Sequence, residues 1–122
     1  MRVLVCGGRD YRDKAHVFAT LDRLAAEPGI DWVIQGGATG ADQMAREWCH
    51  IRRIGYLNFP ADWKQHGRAA GPLRNATMIA EGRPDLVLAF PGGRGTADMT
   101  RKAEAAGINV VRVAPFVSET QP

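Results

Sequence analysis

The sequence lacks most of the signatures that assign a chemistry at sight. Its 122 residues include two cysteines and three histidines. Cys6 falls in the first apolar run and Cys49 in a predicted helix, so neither reads as half of a disulfide framework. No Cys-x-x-Cys pair occurs, and His16, His50 and His66 are not spaced as metal ligands, so no metal site is expected. No apolar run approaches the roughly 20 residues that cross a bilayer. Met1–Cys6 is too short for a signal peptide and has no small-residue cleavage site after it. The expected location is therefore the cytoplasm, with no membrane partner. Also missing are a P-loop, GxxxxGK followed by Ser or Thr, and a GxGxxG with an acidic partner after the first strand. Charge is only mildly one-sided: 16 Lys and Arg against 13 Asp and Glu give +3 and a pI near 9.2. The cations are spread along the chain, which does not make a nucleic-acid tail and suits a pocket for a small anion equally well.

What is present is a regular alternation of apolar runs and helical patterns. Strands are predicted at 2–6, 31–35, 55–60, 85–90 and 109–113. Helices are predicted at 13–26, with Asp10 or Asp13 as N-cap, at 39–53, from Leu73 to about Ala80 with Pro72 near its first turn, and at 96–106 ending at Gly107. Residues 60–72 are polar, irregular and bounded by prolines, and read as a long functional loop that could act as a lid. Continuous apolar strands alternating with helices specify an α/β fold, Rossmann-like and doubly wound. The expected sheet is five-stranded and mostly parallel, with helices on both faces. One domain is expected over 1–114, followed by a C-terminal tail at 115–122.

The glycines carry the functional signal. Gly7-Gly8-Arg9-Asp10 follows the first strand, Gly36-Gly37-Ala38-Thr39-Gly40-Ala41-Asp42 the second, and Pro91-Gly92-Gly93-Arg94-Gly95-Thr96 the strand at 85–90. In an open parallel sheet these ends share one edge, where ligands bind. Glycine lets backbone N–H groups approach phosphate oxygens, and the following helix N-termini add positive potential. A nucleotide or similar phosphate-bearing small molecule is the ligand this pattern suggests. Thr39 and Thr96 could each donate a hydroxyl, and Asp42 could accept from a ribose hydroxyl. The competing reading is that each glycine pair only makes a tight turn.

At these residues the chain resembles the SLOG superfamily, which joins the Smf/DprA proteins with the lonely-guy phosphoribohydrolases. Pro91–Thr96 is similar to that group's PGGxGT core, and Arg74-Asn75 to the Arg-Lys pair that lonely-guy enzymes carry before it. The order of Gly7–Asp10, Gly36–Asp42, Gly71-Pro72-Leu73-Arg74-Asn75 and PGGxGT looks like the small single-domain YspA-like branch. The resemblance runs from residue 3 to about 113. It implies a nucleotide-derived ligand over the glycine loops and association into a homodimer or higher homo-oligomer. In lonely-guy enzymes PGGxGTxxE ends in a glutamate that assists cleavage of the bond between base and ribose phosphate. Here that position is Met99, which can neither move a proton nor stabilise positive charge.

Among the polar residues, Arg74 offers a planar fork of donors suited to phosphate. Arg9 could cover a phosphate, Tyr11 could stack on a base, and Asp10 could equally be a helix cap. Trp63, with Asp62, Lys64, His66 and Arg68, combines an aromatic with cations. Three functions are open: a nucleotide-binding or sensing module, an N-glycoside hydrolase using Asp98 (with Arg74), Asp42 or Asp10, and single-stranded DNA binding in the manner of DprA.

Overall fold

A computed structural model describes residues 1–114, so the expected tail at 115–122 lies outside the described residues. The strands are β1 (Arg2–Cys6), β2 (Trp32–Gln35), β3 (Gly55–Asn58), β4 (Leu86–Ala89) and β5 (Asn109–Arg112). They form one sheet in the order β3-β2-β1-β4-β5. Every pairing is parallel, as in Val3 with Leu86 and Leu4 with Ile34, where a mostly parallel sheet was expected.

Side chains alternate across this sheet and supply two cores. Val3, Val5 and Val33 point to one face, where α1 (Lys14–Ala26) and α2 (Ala41–Arg52) cover them with Val17, Leu21, Ala45 and Trp48. Leu4, Cys6 and Ile34 point to the other, under α4 (Ala70–Gly82) and α5 (Arg94–Ala105), which contribute Met78, Met99 and Ala103. The domain is doubly wound. Trp48 is fully buried, and its indole N–H donates to Asp22 Oδ1 at 2.8 Å; Trp32 stays 42% exposed and its ring covers Gly55.

Local signals set the helix ends. Asp13, and not Asp10, caps α1 by accepting from His16 N at 3.0 Å. Gly107, at φ +77, follows α5 as the sequence suggested. The largest departure is at 60–72. Asp62 caps a one-turn helix, α3 (Trp63–His66), which runs through a 3₁₀ turn (Gly67–Ala69) into α4. Helix α4 therefore starts three residues before Leu73. Pro72 sits in its first turn, where a missing N–H costs no intrahelical bond. Composition hid this because prolines bound the segment and glycines interrupt it at 67 and 71, while an Asp cap and short-range bonds suffice to coil it.

The chain runs outward through β2 and β3, then returns to add β4 on the other side of β1. The reversal places a crevice beyond the carboxyl ends of β1 and β4, where α/β folds hold ligands.

Candidate functional site

The three glycine loops meet around Gly8. Its N–H donates to Pro91 O at 2.8 Å, and its carbonyl accepts from Tyr11 N and Ala41 N at 3.2 and 3.3 Å. A Cβ on Gly7 would stand 2.6 Å from Ala41 Cβ. One on Gly40, already at φ +80, would overlap Gly8 O, and one on Gly92 would overlap the Thr96 hydroxyl. These glycines let three backbone turns pack against one another.

The second loop is largely satisfied from within. Gly36 N and Ala38 N donate to Asp42 Oδ2 at 3.1 and 3.3 Å, and Gly37 N to Gln35 Oε1 at 2.5 Å. Thr39, expected to offer its hydroxyl to a ligand, donates to Arg9 O at 3.2 Å. Asp42, in the first turn of α2, is only 6% exposed. Burial pushes its carboxyl up to about 6, against the pull of the two loop N–H groups and the Arg74 and Arg9 charges.

Arg74 is also partly committed. Its Nη1 donates to Gly36 O at 2.8 Å, and its Nε to Asn75 Oδ1 at 3.0 Å. Asn75 is buried and passes the connection on, donating to Gly95 O at 3.2 Å and to Asp98 Oδ2 at 3.0 Å. Lys102 completes the chain on Asp98, at 2.6 and 2.7 Å. Burial raises the Asp98 pKa, but the bonds from Lys102 and Asn75 outweigh it and hold the group below the usual aspartate range. This relay from the second loop to α5 was not legible in the sequence; Arg74-Asn75 was visible only as a pair.

The third loop is different. A Cβ on Gly93 or Gly95 would meet nothing within 4 Å, and neither residue has positive φ. The first intrahelical bond of α5 runs from Ala97 N to Gly93 O at 3.0 Å, so the N–H groups of Arg94, Gly95 and Thr96 precede the ladder.

Between these parts lies a cavity of about 480 Å³. Its lining includes Gly7, Gly8, Arg9, Ala38, Asp42, Trp63, Arg74, Asn75, Gly93, Gly95, Thr96 and Asp98 from the sequence-derived set. Four arginines face it, Arg9, Arg68, Arg74 and Arg94, against two carboxylates, Asp42 and Asp98. Trp63 forms a wall: it lies 3.3 Å from a Cβ built on Gly71, and the Arg9 guanidinium sits 5.0 Å from its ring centroid. Gly36 and Gly37 lie outside this cavity but line a smaller adjoining one, and Gly40, Pro91 and Gly92 support the turns behind it.

Four residues singled out in the sequence lie away from the cavity. Asp10 is exposed and lies outside the cavity lining. Tyr11 packs its ring 5.5 Å from Phe90 and places its hydroxyl 3.4 Å from His16 Nδ1, so it offers no stacking face to the cavity. His66 ends α3 outside the lining. Met99 is fully buried with Leu4, Ile34 and Val87, so that position turns into the core while Asp98 turns to the cavity. The sequence reading missed Cys6 and Met78 in the cavity lining, and it named Gly71 only within its motif, not as the residue beneath Trp63. The direct succession Cys6-Gly7 was the available signal for the first. Burial pushes the Cys6 thiol up to about 12, so it lines the site as a neutral group.

A parallel sheet of this order, with its crevice beyond β1 and β4 and glycine loops around it, defines a Rossmann-like α/β protein. The chain belongs to the YspA, cpYpsA-related SLOG family, whose model matches residues 1–66. That span contains the first two glycine loops and reaches Trp63; Pro91–Thr96 lies beyond it. The chain is also similar to the Gene 61 protein of Mycobacterium phage D29, with 42% identity over 118 residues, covering 90% of this chain and 94% of that one. Among the described residues no helix is long and apolar enough to cross a membrane.

Proposed function

We propose that the crevice binds a nucleotide or nucleotide-derived, phosphate-bearing small molecule, and that the chain acts as a binding or sensing module for it. The observation that carries this reading is the third loop. Gly95 occupies a helical position where alanine would be more favourable by about 0.5–1 kcal/mol, with open space where its Cβ would stand. Neither packing nor backbone conformation calls for glycine there, whereas a phosphate approaching the first-turn N–H groups does. The four surrounding arginines favour the same anion. Titration calorimetry with nucleoside mono- and diphosphates tests the reading: at least one binds with micromolar affinity, and heat from none of them would refute it.

A second reading rests on the two carboxylates. Asp42 is raised to about 6 and Asp98 is lowered, and such a separation within one cavity is how acid and base roles are divided. In N-glycoside hydrolysis, Asp42 in its acid form would protonate the departing base nitrogen as the C1′–N bond breaks. Water would add at C1′ and lose its proton to Asp98. Chromatography of nucleoside monophosphates after incubation tests this: free base appears with the wild type and falls at least 100-fold in Asp98→Asn. Release unchanged by that substitution would remove Asp98 from the mechanism.

A further inference from the structure

Beside the main cavity lies a second chamber of about 240 Å³, lined by Gly36, Gly37, Pro60 and Ala61. The two share a wall made of Arg9, Ala38, Trp63 and Arg74. Alone, the side chamber is smaller than ligand pockets usually are, about 300–1,000 Å³, so it reads as an annex to the larger one. Their linings differ in kind. Both carboxylates and Asn75 belong only to the main cavity, whereas Pro60, Ala61 and small backbone-rich residues make the annex walls, with Trp63 on the side shared with the main cavity. Such a space suits a flat ring.

The partition is a single side-chain contact. The Arg9 backbone is held where its carbonyl accepts the Thr39 hydroxyl, but its guanidinium rests only 5.0 Å over the Trp63 ring. Trp63 is 47% exposed and stands on a single helical turn. A cation–π contact at so exposed a ring is weaker than a charge-assisted hydrogen bond to phosphate. A phosphate at this wall would therefore compete with the ring for the Arg9 guanidinium.

Resting on the nucleotide reading above, we propose that the two chambers form one bipartite site divided by Arg9 and Trp63. Its ligand class is a nucleotide carrying a second ring unit beyond its phosphates. The phosphates meet Arg9 and Arg74 at the partition, one half of the ligand occupies the main cavity, and a ring of the other half lies against Trp63 in the annex.

AMP, ADP-ribose and NAD serve as probes because they share one half and differ in the other. Calorimetry on the wild type is expected to show ADP-ribose or NAD binding at least tenfold tighter than AMP. Ala61→Phe, which fills the annex alone, brings that ratio within about twofold and leaves AMP affinity unchanged; Trp63→Leu lowers the ratio as well. Circular dichroism checks that each variant is folded, and the wild-type ratio stands without them. AMP binding as tightly as both larger probes overturns the bipartite site and leaves the nucleotide reading intact, as does a preference that survives Ala61→Phe. Binding of none of the three overturns the bipartite site, and failure of the broader nucleotide panel is what overturns the underlying reading.

Discussion

The second and third glycine loops flank β1 on opposite sides, and their glycines answer to different demands. In the second, Gly36 lies against the Arg74 guanidinium, Gly37 at φ +74 against Asn58, and Gly40 at φ +80 against Gly8 O. Its N–H groups at 36, 37 and 38 are bound by Asp42 and Gln35. In the third, Gly93 and Gly95 face open space and the first-turn N–H groups of α5 precede any intrahelical acceptor. The same residue type thus closes packed turns in one loop and, at positions 93 and 95 of the other, stands without neighbours. Glycine content alone does not separate the two; what a Cβ would strike does.

Four substitutions or titrations sharpen that contrast. The largest effect belongs to Gly40→Ala. Backbone at φ +80 and ψ −128 costs an L-residue about 1–3 kcal/mol and overlap with a neighbouring carbonyl about 1–3 more, so denaturant unfolding should show a loss of about 4 kcal/mol. A loss under about 1 kcal/mol would mean that the second loop is not scaffold.

Next comes the charge that the second loop encloses. The folded-state pKa of Asp42, about 6, lies above its ordinary value of 3.8, so between these pH values the folded protein holds a proton that the unfolded chain releases. Stability falls as pH rises from about 4 to 6, by at most about 3 kcal/mol. Asp42→Asn removes this slope while keeping an acceptor for Gly36 and Ala38. Asp22, held down to about 2 by Arg52 and Trp48, works in the opposite direction below about pH 4, outside that window. Parallel slopes for wild type and variant between pH 4 and 6 would contradict the assignment.

Asn75 joins the two loops, since Arg74 holds Gly36 O on one side and Gly95 O and Asp98 lie on the other. Asn75→Ala leaves Arg74 Nε without its acceptor and removes one donor each from Gly95 O and from Asp98 Oδ2, which keeps Lys102, a cost of about 2 kcal/mol by thermal unfolding. An unchanged midpoint would show that the relay carries no load.

The strand–helix alternation, the sheet type and the three loops at one edge were legible because they rest on local patterns: apolar runs, helix stops and paired glycines. Two parts of the site were not. The segment from Trp63 to Ala69 reads as loop by composition but coils because Asp62 caps it and α4 continues it. The roles of Arg74 and Asn75 depend on partners 38 and 20 residues away, which no local spacing reveals. Tyr11 and Met99 illustrate the same limit. Each sits beside a loop in sequence, and each is turned away by packing, one against Phe90 and the other into the core under α5.

The smallest change in stability gives the most direct test. Gly95→Ala adds a methyl to a helical position with no neighbour within 4 Å. Unfolding and nucleotide titration on that variant should move in opposite directions: stability rises by about 0.5–1 kcal/mol while affinity falls at least tenfold, about 1.4 kcal/mol. A variant that is more stable and binds its nucleotide as well as the wild type would contradict the claim that the third loop is where phosphate docks.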